Sequence, residues 1–233
     1  MNLFTLALAV LLPIPTCTYR MKRYGLNGLQ TVIVYIVIST VGAGGACVGS
    51  YLAGGSILGI RLYGLMLFDA VVLPLVGLLI RHDLPRLGDF VSVPIMVSCA
   101  AAKIVCLVTN CCRGVIMAHA DSPNPIRFPS QTVELLIWVA MAAILLLLEH
   151  KGKLQRLMWP FSMVWFGFFR FAVDFFRDPE QIQAVILPGL SGSKFWSLVV
   201  MVYGLVWLWI VLKLRLGENP SIKNFGKTLL GMI

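Results

Sequence analysis

The stretch FGFFRFAVDFFRDPE, residues 166–180, places charged side chains inside a segment that is otherwise strongly apolar. Arg170, Asp174 and Arg177 follow one another at intervals of four and three residues. On an α-helix they fall within roughly 60° of one another, on one face. Ionisable side chains within membrane helices face a polar interior, because exposure to lipid is costly. The stretch therefore predicts a membrane helix with one charged face, on which Asp174 holds Arg170 in place and which ends at Pro179.

The composition excludes an ordinary soluble domain. The chain has 233 residues, of which 59% are hydrophobic and 12% charged, and its mean hydropathy is +0.88. Soluble domains carry about twice that share of charged residues. The net charge of +9 does not indicate a nucleic-acid partner, because Lys and Arg concentrate at the ends of the apolar segments, as membrane topology requires.

The apolar segments predict an all-α, polytopic membrane protein: a bundle of seven transmembrane helices. The segments are 2–17 (short), 30–53, 57–80, 92–110, 131–149, 157–177 and 194–214. The first is interpreted as a membrane helix and not as a lipoprotein signal, because no basic residue precedes it and Pro15 stands where a small residue is expected. We expect a single membrane domain over residues 1–215 and a cytoplasmic tail over 216–233.

The basic residues predict the orientation of the bundle. Alternate loops (18–29, 81–90 and 149–156) and the C-terminal stretch from residue 213 onward contain 12 of the 19 Lys and Arg residues, which places them in the cytoplasm and the N-terminus outside. The other seven lie in the segments or at their outer ends, where orientation does not explain them. They are candidates for function, namely Arg61, Lys103, Arg113, Arg127, Arg170, Arg177 and Lys194.

Three further motifs contain candidate site residues. In GAGGACVGSYLAGGS, residues 42–56, the glycines indicate either close helix packing or a turn at Gly54–Gly55 that opens onto a lipid headgroup. In KIVCLVTNCCRG, residues 103–114, Lys103 either extends to the interface or faces an anion, and Gly114 follows the helix end.

In RFPSQTVELL, residues 127–136, Gln131 and Glu134 share a helix face. Glu134 could simply favour the helix N-terminus, but its depth favours pairing with an Arg or Lys.

The six cysteines predict buried thiols and no metal site. No pair has the spacing of a zinc finger. Cys106, Cys111 and Cys112 lie near one another in the sequence, but no fourth ligand is evident for a metal ion. We therefore expect neither a metal nor another cofactor.

Taken in this order, the motifs resemble those of the prolipoprotein diacylglyceryl transferase family. The resemblance runs from residue 1 to about residue 215 and is carried by P-S-Q-x-x-E and F-G-x-x-R-F-x-x-D-F-F-R-x-P. It implies an enzyme of the bacterial plasma (inner) membrane. Such an enzyme moves the diacylglyceryl group of phosphatidylglycerol to the lipobox cysteine thiol in the signal peptide of a preprolipoprotein. The implied partners are these substrates and membrane lipids, with no nucleic acid.

The resemblance also implies residue roles. Arg170 matches the family's essential arginine, Asp174 its acidic position and Glu134 the acid of the P-S-Q element, so these three are the catalytic candidates. The substrate-binding candidates are Lys103, Arg177, Gln131, Gly54, Gly55 and Gly114.

The chain departs from the family pattern at four positions. Gly59 stands in place of a histidine proposed as base, Lys103 in place of an arginine, Cys106 in place of an asparagine, and Phe128 in place of a histidine. Thiol activation would then fall to Glu134, Asp174, water or the lipid phosphate. These departures leave open a relative without catalytic activity that binds anionic phospholipid or a partner protein. A transporter is disfavoured, because the inner halves of the segments carry almost no charge.

Overall fold

The computed structural model describes residues 10–52, 62–118, 125–178, 185–187 and 190–216. Most of this part of the chain is α-helical, as the sequence predicts, and it contains seven α-helices. They are α1 (Ile14–Arg20), α2 (Gly28–Leu52), α3 (Leu62–Leu79), α4 (Leu84–Thr109), α5 (Ser130–His150), α6 (Met158–Val173) and α7 (Gly192–Leu216). Two 3₁₀ turns, Met21–Tyr24 and Asp174–Phe176, follow α1 and α6.

Two short antiparallel pairs of strands lie between the helices. β1 (Ile116–Ala118) pairs with β2 (Ile126–Arg127), and β3 (Val185–Leu187) pairs with β4 (Leu190–Ser191). Both pairs lie in stretches between predicted helices for which the sequence analysis made no strand prediction.

Four of the described helices are long and apolar enough to cross a membrane. They cover Gly28–Val48, Leu84–Thr109, Ser130–His150 and Gly192–Lys213, and a shorter apolar helix covers Gly64–Leu79. The membrane-embedded, all-α prediction is thus confirmed at this coarser level. Most of the predicted first segment, 2–17, lies outside the described residues.

Two predicted helix boundaries are wrong. The segment predicted over 92–110 begins at Leu84, with Pro85 in its first turn, where proline's fixed φ suits a helix start. The segment predicted over 157–177 leaves α-helical geometry after Val173, and Arg177 is already extended. Pro179, which was expected to end that helix, lies outside the described residues.

Close backbone approach at glycines joins neighbouring helices. A Cβ on Gly45 of α2 would lie 2.5 Å from Phe68 Cγ and 2.7 Å from the carbonyl oxygen of Gly64 on α3. A Cβ on Gly167 of α6 would lie 2.5 Å from the carbonyl oxygen of Ser197 on α7. Small residues let membrane helices pack backbone to backbone, so the close-packing interpretation holds for these glycines. Gly54, Gly55 and Gly59 lie outside the described residues.

A buried arginine anchors the end of the bundle opposite the charged face of α6. Arg20 is 1% exposed, and its Nε donates to Glu149 Oε2 of α5 at 2.7 Å. Its Nη1 donates to the carbonyl oxygen of Phe90 of α4 at 2.6 Å. The sequence predicted that Arg20 lies in the loop 18–29. That boundary is wrong, because α1 continues through Arg20, which is buried.

The predicted cytoplasmic loops meet at this same end. Arg156 Nη2 lies 2.9 Å from Asp83 Oδ2, and His82 Nε2 lies 2.8 Å from the carbonyl oxygen of Tyr24. Burial raises the pKa of Tyr24 in this region. We call this the basic end of the molecule.

Substituting Gly45 should test the backbone contact between α2 and α3. We expect Gly45→Ala to lower the free energy of unfolding by about 1–3 kcal/mol, because the added methyl overlaps α3. Thermal unfolding in detergent measures the change. Gly44→Ala is the matched control, since a Cβ at Gly44 meets nothing within 4 Å. Equal melting temperatures for the two variants would contradict this packing.

Candidate active site

A buried glutamate joins three helices through two cations. Glu134 of α5 is 0% exposed. Arg170 Nη1 of α6 donates to its Oε1 at 2.6 Å, and Lys103 Nζ of α4 lies 2.5 Å from its Oε2. The prediction that Glu134 pairs with an Arg or Lys is confirmed with both. Lys103 is 3% exposed, so the alternative in which it extends to the interface is wrong.

Asp174 extends the ion pairs along the face predicted from the sequence. Its Oδ1 lies 3.5 Å from Arg170 Nη2 and 3.4 Å from Arg177 Nη1. The charged stripe is therefore one contiguous group, as predicted. We call Lys103, Glu134, Arg170, Asp174 and Arg177 the charged cluster; its three cations and two carboxylates leave one net positive charge.

Backbone pairing places Arg177 against the rest of the cluster. Arg177 forms an antiparallel bridge with Gly114, and the Val115 N–H donates to the carbonyl oxygen of Phe176 at 3.0 Å. The Phe128 N–H donates to the carbonyl oxygen of Val115 at 2.9 Å. A Cβ on Gly114 would overlap the backbone of Phe128. Glycine at position 114 thus permits this close approach and, through it, the placement of Arg177.

The polar side chains at the start of α5 hold the turn that follows α4. Gln131 Nε2 donates to the carbonyl oxygen of Cys111 at 2.5 Å. Ser130 Oγ donates to the carbonyl oxygen of Cys112 at 2.7 Å. The side-chain amide of Gln131, one helical turn before Glu134, is therefore hydrogen-bonded to the protein backbone.

Several contacts at the edge of the charged cluster were not predicted from the sequence. Arg127 Nη1 lies 2.6 Å from Asp178 Oδ2, and Lys194 Nζ lies 3.8 Å from the centroid of the Phe175 ring. The thiol sulfurs of Cys106, Cys111 and Cys112 all lie within 4.8 Å of one another. The ion pair could not be predicted because Arg127 and Asp178 lie far apart in the chain. The approach of the three thiols was indicated by the close spacing of the cysteines around the end of α4. Arg61 lies outside the described residues.

The charged cluster has donors available for an anion. Arg177 Nε is buried and has no hydrogen-bond partner among the described residues. Arg170 Nη2 and Arg177 Nη1 reach Asp174 only at 3.5 and 3.4 Å. Guanidinium groups bind phosphate or carboxylate oxygens in pairs. The cluster can therefore accept an oxyanion while Glu134 neutralises Lys103 and part of Arg170.

Removing the central carboxylate should destabilise the bundle. Glu134→Gln leaves Lys103 and Arg170 buried without their shared anion, and breaking a buried pair on one side costs about 3–5 kcal/mol. Thermal unfolding in detergent measures the change. Arg86→Gln is the control, because Arg86 is 59% exposed and 3.8 Å from Asp83, and such surface pairs contribute about 0–1 kcal/mol. Equal effects would contradict a structural role for Glu134.

Comparison with known proteins supports a common family. The family model described as prolipoprotein diacylglyceryl transferase matches residues 3–210. A phosphatidylglycerol–prolipoprotein diacylglyceryl transferase of Polaromonas naphthalenivorans (strain CJ2) is 33% identical over 99 residues, covering 42% of this chain and 35% of that protein.

Two further relatives match longer stretches at lower identity. A protein of the same name from Methylobacillus flagellatus is 29% identical over 154 residues, covering 66% of this chain and 52% of its own. Phosphatidylglycerol–prolipoprotein diacylglyceryl transferase 2 of Clostridium perfringens is 25% identical over 158 residues, covering 64% and 60%. The chain thus spans about a third to three fifths of the length of these relatives. Because the family model covers most of the chain and the helices are apolar, this multi-pass membrane protein belongs to the prolipoprotein diacylglyceryl transferase family.

Proposed function

We propose that the protein transfers the diacylglyceryl group of phosphatidylglycerol to the lipobox cysteine thiol of a preprolipoprotein. The observation that carries this proposal is the charged cluster, whose net positive charge is buried between α4, α5 and α6. The names of the relatives and the family agree with it.

The chemistry requires an anion site and a proton acceptor. The client sulfur forms a bond to a glyceryl carbon, the carbon–oxygen bond to phosphate breaks, and glycerol phosphate leaves with the electron pair. Arg170 and Arg177 meet the charge that develops on the departing phosphate, which is the type of stabilisation that electrostatic catalysis requires. Arg170 is the catalytic residue on this proposal.

The two carboxylates have different roles. Both oxygens of Glu134 contact cations, so we assign Glu134 to positioning Arg170 and Lys103. Asp174 Oδ2 is buried without a hydrogen-bond partner among the described residues. We assign it as the acceptor of the thiol proton, in place of the histidine that Gly59 replaces.

The remaining candidate site residues have supporting roles that depend on their positions. Gln131 and Gly114 act by placing the segments that present Cys111 and Arg177. Lys103 keeps positive charge beside the phosphate but lacks the planar fork of an arginine. Gly54 and Gly55, outside the described residues, are assigned to the lipid headgroup.

A second candidate is a relative that binds anionic phospholipid, or a partner protein, without turnover. It is favoured by the same charged cluster together with the substitutions at Gly59 and Lys103. Specific, Arg170-dependent binding of phosphatidylglycerol without product formation distinguishes it from the transferase.

The number of membrane spans and their orientation are also proposed. We infer seven spans in the bacterial plasma (inner) membrane, with the N-terminus outside, one membrane domain over residues 1–215 and a cytoplasmic tail over 216–233. Support comes from the basic end, where three predicted cytoplasmic loops meet, and from the positive-inside rule. The charged cluster then lies toward the outer side.

Arg170→Lys should separate the guanidinium fork from simple charge. It keeps a cation beside Glu134 but removes paired donors to phosphate, so we expect turnover to fall by about 10²–10³-fold. The assay uses phosphatidylglycerol vesicles and a lipobox peptide, with thioether product measured by mass spectrometry. Arg86→Gln, at the basic end, should retain wild-type turnover.

Two outcomes would contradict the proposal. Full activity of Arg170→Lys would remove the assigned role of Arg170. No product from the wild-type protein, while an active family member works in parallel, would reject the transferase in favour of the lipid-binding relative.

Single-cysteine labelling should test the orientation. In a background without the native cysteines, a cysteine replacing Lys153 should resist a membrane-impermeant maleimide in intact cells and react after lysis, since residue 153 is placed in the cytoplasm. A cysteine replacing Met117, 66% exposed near the charged cluster, should react in intact cells. The reverse pattern would contradict the orientation.

A further inference from the structure

Three thiols converge beside the charged cluster. Cys106 lies in the last turn of α4, and Cys111 and Cys112 lie in the turn that follows. Their sulfur atoms all lie within 4.8 Å of one another. Cys111 is exposed and the other two are partly exposed, so an ion from solvent can reach the group. We call these residues the thiol cluster.

An unusual backbone brings the thiols together. Asn110 caps α4 in the left-handed region at φ 51°, as asparagine commonly does at a helix end. Cys112 also adopts a left-handed φ, 57°, a region that residues other than glycine rarely occupy and that is over-represented at functional sites. The Cys111 N–H donates to the carbonyl oxygen of Cys106 at 3.2 Å, which folds the turn back over the helix end.

The thiol cluster is connected to the proposed active site through two helices. Ser130 and Gln131 bind the carbonyl oxygens of Cys112 and Cys111, and Glu134 lies one turn further along α5. On α4, Lys103 lies one turn before Cys106. Cys106 and Lys103 therefore share a helix face.

We propose that the thiol cluster binds a thiophilic d10 cation, with Zn²⁺ as the ion to test, and leaves a fourth position for the client thiol. The assignment of the fourth ligand rests on the proposed function. Zinc–sulfur bonds of about 2.3 Å in a tetrahedron place sulfurs roughly 3.8 Å apart, so small side-chain rotations close the site. Zinc sites that perform chemistry use three protein ligands and an open position.

This site reverses the expectation drawn from the sequence. A metal was not expected because the sequence offers no fourth ligand. However, only a structural zinc site needs four protein ligands, whereas a site that performs chemistry needs three. Thiolates are soft ligands that select Zn²⁺ and Cu⁺ over Mg²⁺ or Ca²⁺.

A bound cation would supply the thiol activation that the absent family histidine leaves open. The client thiol binds as a thiolate, because coordination deprotonates it, and its proton passes to Asp174 through water. The sulfur then attacks the glyceryl carbon, and glycerol phosphate leaves toward Arg170 and Arg177. The cation keeps its +2 charge throughout.

Cobalt binding to the full, reduced protein in detergent tests the three-thiolate site. Co²⁺ is the probe, because thiolate ligation produces a charge-transfer absorption band, and Zn²⁺ should then displace it. We expect one Co²⁺ per chain. Replacing one ligand should weaken Co²⁺ binding by at least about 10–100-fold, the loss seen when only a hydrogen-bond partner of a metal ligand is removed. This applies to each of Cys106→Ser, Cys111→Ser and Cys112→Ser.

Cys47→Ser is the matched control, because Cys47 is also partly exposed but lies on α2. It should bind Co²⁺ like the wild-type protein. The site is overturned if no thiolate band forms, or if the band is unchanged in all three cluster variants.

The client peptide tests the fourth position separately. A lipobox peptide should change the Co²⁺ band, and the same peptide with serine for cysteine should not. Identical spectra overturn the fourth-ligand assignment. If both spectral results hold but metal-loaded protein forms no thioether product, the proposed transferase function fails while the metal site stands. Full turnover by metal-free Cys112→Ser would overturn the role in thiol activation.

Discussion

The contact of one carboxylate with two cations organises one end of the bundle. Glu134 lies between Lys103 on α4 and Arg170 on α6, with both oxygens engaged at 2.5–2.6 Å. Taking charges out of water is costly, and only close pairing offsets that cost. The positions of α4, α5 and α6 are therefore coupled, since a shift of one helix would leave a buried charge without its partner.

The same helix, α5, carries a second buried ion pair near its other end. Glu149 receives Arg20 at 2.7 Å, and fifteen residues of helix place it about 22 Å from Glu134. Each contact joins α5 to elements distant in the chain. A buried carboxylate oxygen without a hydrogen-bond partner among the described residues occurs at both ends, on Glu149 and on Asp174. The ends differ in their guanidinium groups: Arg20 donates to backbone carbonyl oxygens, whereas Arg177 Nε in the charged cluster has no partner among the described residues. That difference supports the proposal of an anion site in the charged cluster.

The loop elements around the charged cluster matter as much as the helices. Gly114 permits backbone contact between residues 113–115 and 176–178, and that contact positions Arg177. The first turn of α5 holds Cys111 and Cys112 by their carbonyl oxygens. The proposed anion site and the proposed thiol site thus share the short segments between α4 and α5.

The sequence by itself determined the class of the protein and much of the charged face. Apolar segments predict membrane helices because lipid leaves few alternatives. The spacing of Arg170 and Asp174 places them together because helical periodicity is local, whereas Arg177 reaches the same group through its backbone pairing with Gly114. The pairing of Glu134 with a cation followed from its depth. The helix end after Val173 was mispredicted, because a tertiary contact, the pairing of residues 176–178 with 113–115, competes with helix propensity there.

Only the tertiary structure decided which charges meet. The burial of Arg20 on Glu149, the joining of Lys103 to Glu134 and the pairing of Arg127 with Asp178 connect residues 129, 31 and 51 positions apart. The convergence of three thiols likewise depends on left-handed backbone at Asn110 and Cys112. Periodicity and composition report on neighbours within a few turns, whereas long-range partners are selected by packing, because each buried charge requires a partner that only the folded bundle supplies.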